Sequence, residues 1–189
     1  MKKRKTNLSK ILMYVILIMV ALGFTIPGFL ELGKEEIPQT RICQADADCY
    51  LMCDGKPLAV LCYHNLCQQN SCQEESLFPY QETQNTAQLE IVIEGLSLDL
   101  AQQFEKLNLN NFFVKFEKNS FTTFAPRLTL SHVLDKLGMN LNHQCLTFNH
   151  TTYCQNKEHR LEIFINGNQS YSYSDYEIKN NDQIKIIYS

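Results

Sequence analysis

From Ile11 to Leu30 the chain runs twenty residues without a charge. A helix of about that length covers roughly 30 Å, the thickness of a hydrocarbon core. Twelve of those residues are Ile, Leu, Val or Phe, each favouring insertion by roughly 0.3–0.6 kcal/mol at a helix centre. The pattern therefore predicts a transmembrane anchor over 11–30. A polar stalk follows over 31–42, and residues 43–72 hold only short apolar pieces between cysteines. Residues 73–87 are acidic, Gln-rich and without periodicity, which reads as a linker.

From 88 to 189 the periodicities change again. Leu89, Ile91 and Ile93 alternate with Glu90, Val92 and Glu94, the period of a half-buried strand, and Asn111 to Lys118 is β-prone and aromatic. The stretch between them, Leu96 to Leu107, fits a helix or a returning strand. Leu130, Val133, Leu134 and Leu137 form one apolar stripe at helical spacing. Thr129 stands at the N-cap and Gly138 at the C-terminal end of that helix. Cys145–Phe148 and Thr151–Cys154 flank a polar turn like a small hairpin. Leu161–Asn166 alternates and ends in Asn166-Gly167, a tight-turn dipeptide. Ile184, Ile186 and Tyr188 alternate through a last strand. Strands, one helix and then strands that close a sheet is an α+β order, most economically a β-grasp.

Charge supplies an orientation. Lys2, Lys3, Arg4, Lys5 and Lys10 precede the apolar run with no acid among them, which predicts a cytoplasmic N-terminus and an extracytoplasmic C-terminus in the cell membrane. A cleaved signal peptide is the alternative, with Ala21-Leu22-Gly23 as its cleavage site. Either way the remainder is exported. All twenty acids lie at or after Glu31, against twelve Lys and Arg there. So acidic a surface argues against nucleic acid.

The eight cysteines, Cys43, Cys49, Cys53, Cys62, Cys67, Cys72, Cys145 and Cys154, all fall in the exported part. An even number in an oxidising compartment reads as four disulfides. Cys145 and Cys154 are expected to pair with each other and the other six among themselves, in any of about fifteen ways. No Cys-x-x-Cys occurs, so redox catalysis lacks its usual motif. Cys49-x-x-x-Cys53, Cys62-x-x-x-x-Cys67 and His64 fit a zinc site only loosely.

Leu-x-x-Val-Leu-x-x-Leu-Gly-Met from Leu130, then Cys145-Leu-Thr, Tyr153-Cys154, Phe164-Ile-Asn-Gly167, Asp175-Tyr176 and Asp182-Gln-Ile-Lys-Ile-Ile-Tyr188 resemble the C-terminal half of uncharacterised, membrane-anchored archaeal proteins with a ubiquitin-like β-grasp domain. The likeness extends more distantly to the β-grasp domain at the C-terminal end of transcobalamin-type proteins. It implies a fold and little else. This chain has no Trp, so corrinoid binding is not carried over from those relatives.

The remaining chemistry is sparse. Ser131, His132 and Asp135 are adjacent on the helix and diverge by about 100° per residue, so they do not form a catalytic relay and read as an exposed face. Asn149-His-Thr151 and Asn168-Gln-Ser170 match the N-glycosylation pattern on outer loops, and Asn7-Leu-Ser9 matches it on the cytoplasmic side. Tyr171, Tyr173 and Tyr176 alternate with serines, either as an adaptable contact loop or as rings packed on the sheet. With no convergent catalytic set, no enzyme activity and no cofactor are expected. The leading expectation is a membrane-anchored, extracytoplasmic interaction or envelope protein. It contacts the lipid bilayer through 11–30 and an unknown protein or glycan outside the cell. The alternative is a metal-binding or thiol-redox module built on the cysteine-rich segment.

Overall fold

The computed structural model describes residues 10–18, 20, 40–82, 85–107 and 110–189. The chain divides into two compact units, Met1–Gln39 and Thr40–Ser189. In the first, residues 10–18 and 20 are helical. No helix among the described residues is long and apolar enough to cross a membrane. Residues 19 and 21–30 of the expected anchor, and most of the stalk, lie outside the described residues.

In the second unit the strand expected at Leu89 is longer than its alternation suggested. It begins at Asn85, inside the stretch read as linker, and runs to Ile93 (β5), burying Ala87, Leu89, Ile91 and Ile93. Its length reflects its position, since it is paired on both sides. Four short strands precede it: β1 (Leu51–Cys53), β2 (Lys56–Leu58), β3 (Cys62–Tyr63) and β4 (Leu66–Cys67). The ambiguous stretch after it is both of the things expected of it. A two-residue strand, β6 (Leu96–Ser97), folds back on β5 and is followed by a helix, α1 (Leu100–Leu107). Next come β7 (Val114–Glu117) and β8 (Ser120–Thr123). β8 leaves little mark in the sequence, because Ser-Phe-Thr-Thr carries a single strongly apolar residue.

The predicted helix forms as α2 (Leu130–Asp135) and closes in a turn at Gly138, whose φ of 67° is the left-handed conformation glycine accepts cheaply. Then follow β9 (Asn140–Leu141), β10 (Cys145–Phe148), β11 (Thr151–Cys154), β12 (Leu161–Ile165), β13 (Asn168–Gln169) and β14 (Gln183–Tyr188). The main sheet has the order β13-β12-β14-β5-β8-β7. Its centre is the parallel pair β14–β5, in register from Gln183↔Gln88 to Tyr188↔Ile93, and its other pairings are antiparallel. β9, β10 and β11 form a separate three-stranded sheet. One face of the main sheet shares a buried core with Leu100 and with Leu130, Val133, Leu134 and Leu137 of the helical stripe. At Asn166-Gly167 both residues have positive φ, 52° and 81°, the requirement of a type I′ turn.

Leu134 is fully buried in that core. Asp135, expected on the solvent side, is half-buried, so the exposed Lys115 is the better control. Leu134→Ala is expected to cost about 2–5 kcal/mol, transfer plus cavity. Lys115→Ala, which removes only a surface pair with Glu117, should stay within about 0.5 kcal/mol. Urea melts of the oxidised protein followed by circular dichroism measure both; equal midpoints would place Leu134 outside the core.

Candidate functional site

The cysteine-rich segment is organised by three bridges, Cys43–Cys62, Cys49–Cys67 and Cys53–Cys72. Each cysteine pairs with the one three places further along, so the three loops overlap. Closing a loop of this size stabilises by about 3 kcal/mol on the chain-entropy estimate. The segment's own core is small, with Val60 the only fully apolar buried side chain among the cysteines Cys43, Cys49, Cys62 and Cys67. Two hairpins frame it, β1–β2 around Asp54-Gly55 and β3–β4 around His64-Asn65, with positive φ at all four turn residues. Of the short apolar run Leu58–Leu61, only Leu58 is in a strand. Val60 instead enters the disulfide core and Leu61 the core of the sheet. Cys145 and Cys154 sit directly opposite each other on β10 and β11 and are bridged, as expected.

The sulfurs of Cys43, Cys49 and Cys62 lie within 4.8 Å of one another. All three are already bonded to partner sulfurs, and a metal ligand must be a thiolate. In the oxidised protein this cluster is the packing of two neighbouring bridges.

What joins the segment to the sheet was not legible in the sequence. Asp46, in a 3₁₀ turn over Asp46–Cys49, is 0% exposed, and Lys136, just past α2, is 3% exposed. Lys136 Nζ donates to Asp46 Oδ1 at 2.8 Å and also to the carbonyl of Cys62. The same Oδ1 accepts the Cys62 amide at 2.9 Å, and Oδ2 accepts the amides of Phe112 and Phe113 at 2.9 and 3.2 Å. One carboxylate thus takes four donors from three separate parts of the chain. Alongside it the Ala47 amide donates to the carbonyl of Asn110 at 3.1 Å.

His132 corrects a second expectation. Instead of lying on an exposed helix face it is buried, 4.2 Å from the ring of Tyr63 and 4.9 Å from that of Phe78, centroid to centroid. These two rings come from the cysteine-rich segment and the stretch after it, which cover this side of α2. His132 Nδ1 accepts the Thr129 amide at 3.1 Å, closing the helix N-terminus. Burial, then the charges of Lys136 and His64, hold its pKa down to about 4. Burial also raises Asp135, against the opposing pull of Lys136 and His64. The Ser131 hydroxyl is engaged by Tyr63 and Thr129.

The tyrosine loop divides between its two expected roles. Tyr173 and Tyr176 pack against the core, and Tyr171 is 71% exposed. The Tyr176 hydroxyl donates to Asp182 Oδ2 at 2.9 Å, and burial followed by that carboxylate pushes its pKa up to about 12. Tyr171 and Tyr173 border a cleft of about 490 Å³ with residues of β12, β13 and the segment 155–160. A second hollow of about 500 Å³ lies over the Lys185–Glu90 ion pair and Phe164. Asn149, at the tip of the β10–β11 hairpin, and Asn168 are both exposed. Asn7 lies outside the described residues.

No family model, no curated protein and no solved structure matches this chain.

Removing one partner of a buried pair leaves an uncompensated charge, so Lys136→Met is expected to destabilise by about 3–5 kcal/mol. Urea unfolding with the disulfides intact reads this, and a loss below 1 kcal/mol would show that Asp46 is satisfied by backbone amides alone.

His132 sets a pH dependence of definite sign. Its folded pKa of about 4 lies below the ordinary 6.5, so between those values the unfolded chain binds the extra proton. Stability contributed by neutral His132 is therefore full above pH 6.5 and is lost as pH falls toward 4, by about 3 kcal/mol. Asp135, raised in the folded state, works in the opposite direction on acidification. Comparing the native protein with His132→Asn at each pH leaves the Asp135 contribution common to both. The stability difference should change between pH 7 and pH 4; a constant difference would mean that His132 titrates normally.

Proposed function

We propose that the chain is a single-pass membrane protein with a cytoplasmic N-terminus. Its extracytoplasmic part, a disulfide-stapled segment packed on a β-grasp-like domain, serves as a non-catalytic interaction protein of the cell envelope. The observation that carries this reading is the pairing of all eight cysteines in four bridges, behind a basic flank and a charge-free run over 11–30. Disulfides of this density belong to oxidising compartments, and the charge order before the apolar run supports the orientation. The strand order β8-β5-β14-β12-β13, with the first and last strands of the domain parallel at its centre and α2 in the connection between β8 and β12, supports the β-grasp reading. The bilayer is the partner of residues 11–30, and a protein or glycan outside the cell is the partner of the folded part.

One observation favours a second reading, an extracytoplasmic metal-binding or thiol-redox module. Reduction of Cys43–Cys62 and Cys49–Cys67 would release thiols from the cluster of three sulfurs that already lie close together. The oxidised state favours the first reading, because structural bridges leave no thiolate to bind or react.

Two measurements test these readings, the first their shared location and the second the choice between them. A protease-cleavable tag after Ser189 should be accessible in intact cells and one at Met1 protected; a protected C-terminal tag overturns the extracytoplasmic reading. Thiol titration of protein purified without reductant and then unfolded should find no free cysteine. Reactive thiols at Cys43, Cys49 or Cys62, with zinc retained, would favour the metal module.

A further inference from the structure

The cleft beside Tyr171 has the chemistry of a sugar site, and we propose that it binds a neutral glycan. This deepens the interaction reading above and rests on its extracytoplasmic placement. The platform is Tyr171, whose ring stands 71% exposed in a protein that otherwise buries or half-buries much of its aromatic surface. An exposed tyrosine offers a rigid apolar face at low entropic cost, together with a hydroxyl at its rim. That hydroxyl donates to Gln169 Oε1 at 3.3 Å, tying the ring to β13 at the edge of the cleft.

The polar lining is dominated by amides. Asn156 uses its Oδ1 to accept the amides of Glu158 and His159, at 2.7 and 2.9 Å, which leaves its Nδ2 for a ligand. Gln169, engaged through Oε1, likewise keeps its Nε2. Gln155 donates through Nε2 to the carbonyl of His143 at 3.4 Å and keeps its Oε1. Side-chain amides carry donors and acceptors side by side, which matches the vicinal hydroxyls of a pyranose. His159, also in the lining, stacks flat on Tyr188 with ring centroids 5.4 Å apart, and its Nδ1 is buried without a hydrogen-bond partner.

Charge decides between sugar classes. The cleft carries one cation, Arg160, and one carboxylate, Glu162, so it presents no net field to attract a uronate, sulfate or phosphate. Its volume of about 490 Å³ falls in the usual range of small-ligand sites and suits a short oligosaccharide rather than a protein surface.

The test uses the full oxidised chain in detergent. The chain has no tryptophan, so tyrosine emission is read without a tryptophan background, and the part of any change that Tyr171→Ala removes belongs to this cleft. Chitotriose, maltotriose and mannotriose serve as neutral probes and tri-galacturonate as the acidic one, with saturation-transfer NMR as the second readout. At least one neutral trisaccharide should bind and perturb tyrosine emission. Tyr171→Ala should weaken it tenfold or more, and Gln169→Ala several-fold. Tyr80→Ala, at a ring remote in sequence that packs on Phe113 and Phe124, should leave it unchanged. Preference for tri-galacturonate, loss of no affinity in Tyr171→Ala, or binding of none of the four overturns the proposal. If none binds while the tag after Ser189 is accessible outside the cell, the glycan assignment alone falls. If that tag is cytoplasmic, the location falls with it.

Discussion

Asp46 and Lys136 are ninety positions apart in the chain and meet at 2.8 Å where neither side chain reaches solvent. Taking two charges out of water costs several kcal/mol per ion, and their attraction offsets this only when the remaining lone pairs and protons are also satisfied. Here Asp46 accepts three backbone amides besides the ammonium, and Lys136 donates to the Cys62 carbonyl as well. The arrangement tolerates little displacement. A shift of the cysteine-rich segment along the sheet would strand an amide, a carboxylate and an ammonium together in a dry interior. Apolar contact alone would tolerate such sliding; this cluster fixes one pose.

Much else follows from that pose. The segment's private core is mostly sulfur, too little apolar surface to hold about thirty residues in place. The bridges restrict its unfolded alternatives, and the ion pair fastens it to the larger core, where Leu61 is buried. With the segment in place, Tyr63 covers His132 and the imidazole loses its water. A helix cap, a displaced titration and a disulfide fold are in this way consequences of one docking geometry.

This explains which features were legible in the sequence. Strands β5, β7, β12 and β14, the β10–β11 hairpin and α2 announce themselves through period two, period 3.6 and turn dipeptides, all set by near neighbours in the chain. The pairing of Cys145 with Cys154 is of the same kind. Burial of Asp46, Lys136 and His132 is not, because each depends on a partner far away, and each residue alone reads as a surface group. Lys136 even sits between Leu134 and Leu137 of the apolar stripe with nothing local to mark it. The exposed Tyr171 was visible as part of a tyrosine–serine run. Its separation from Tyr173 and Tyr176 became apparent only once the loop was seen to place two rings inward and one outward.

The parallel pairing of β5 with β14 also imposes an order of events on the growing chain. Each disulfide spans at most nineteen residues, so its two halves are available almost as soon as they emerge. The centre of the sheet is different, because Leu89 and Ile91 have no neighbour on that side until Ile184 and Ile186 arrive, and long-range pairings of this kind are slow to form. Delivered from its N-terminus, the chain must keep the β14-facing edge of β5 open while roughly ninety more residues appear, a window in which aggregation or proteolysis competes with folding. Of the four bridges only Cys145–Cys154 lies between those two strands and shortens the loose chain during that wait; the other three close upstream of β5, so the cysteine-rich segment can be stapled before the sheet that receives it is complete.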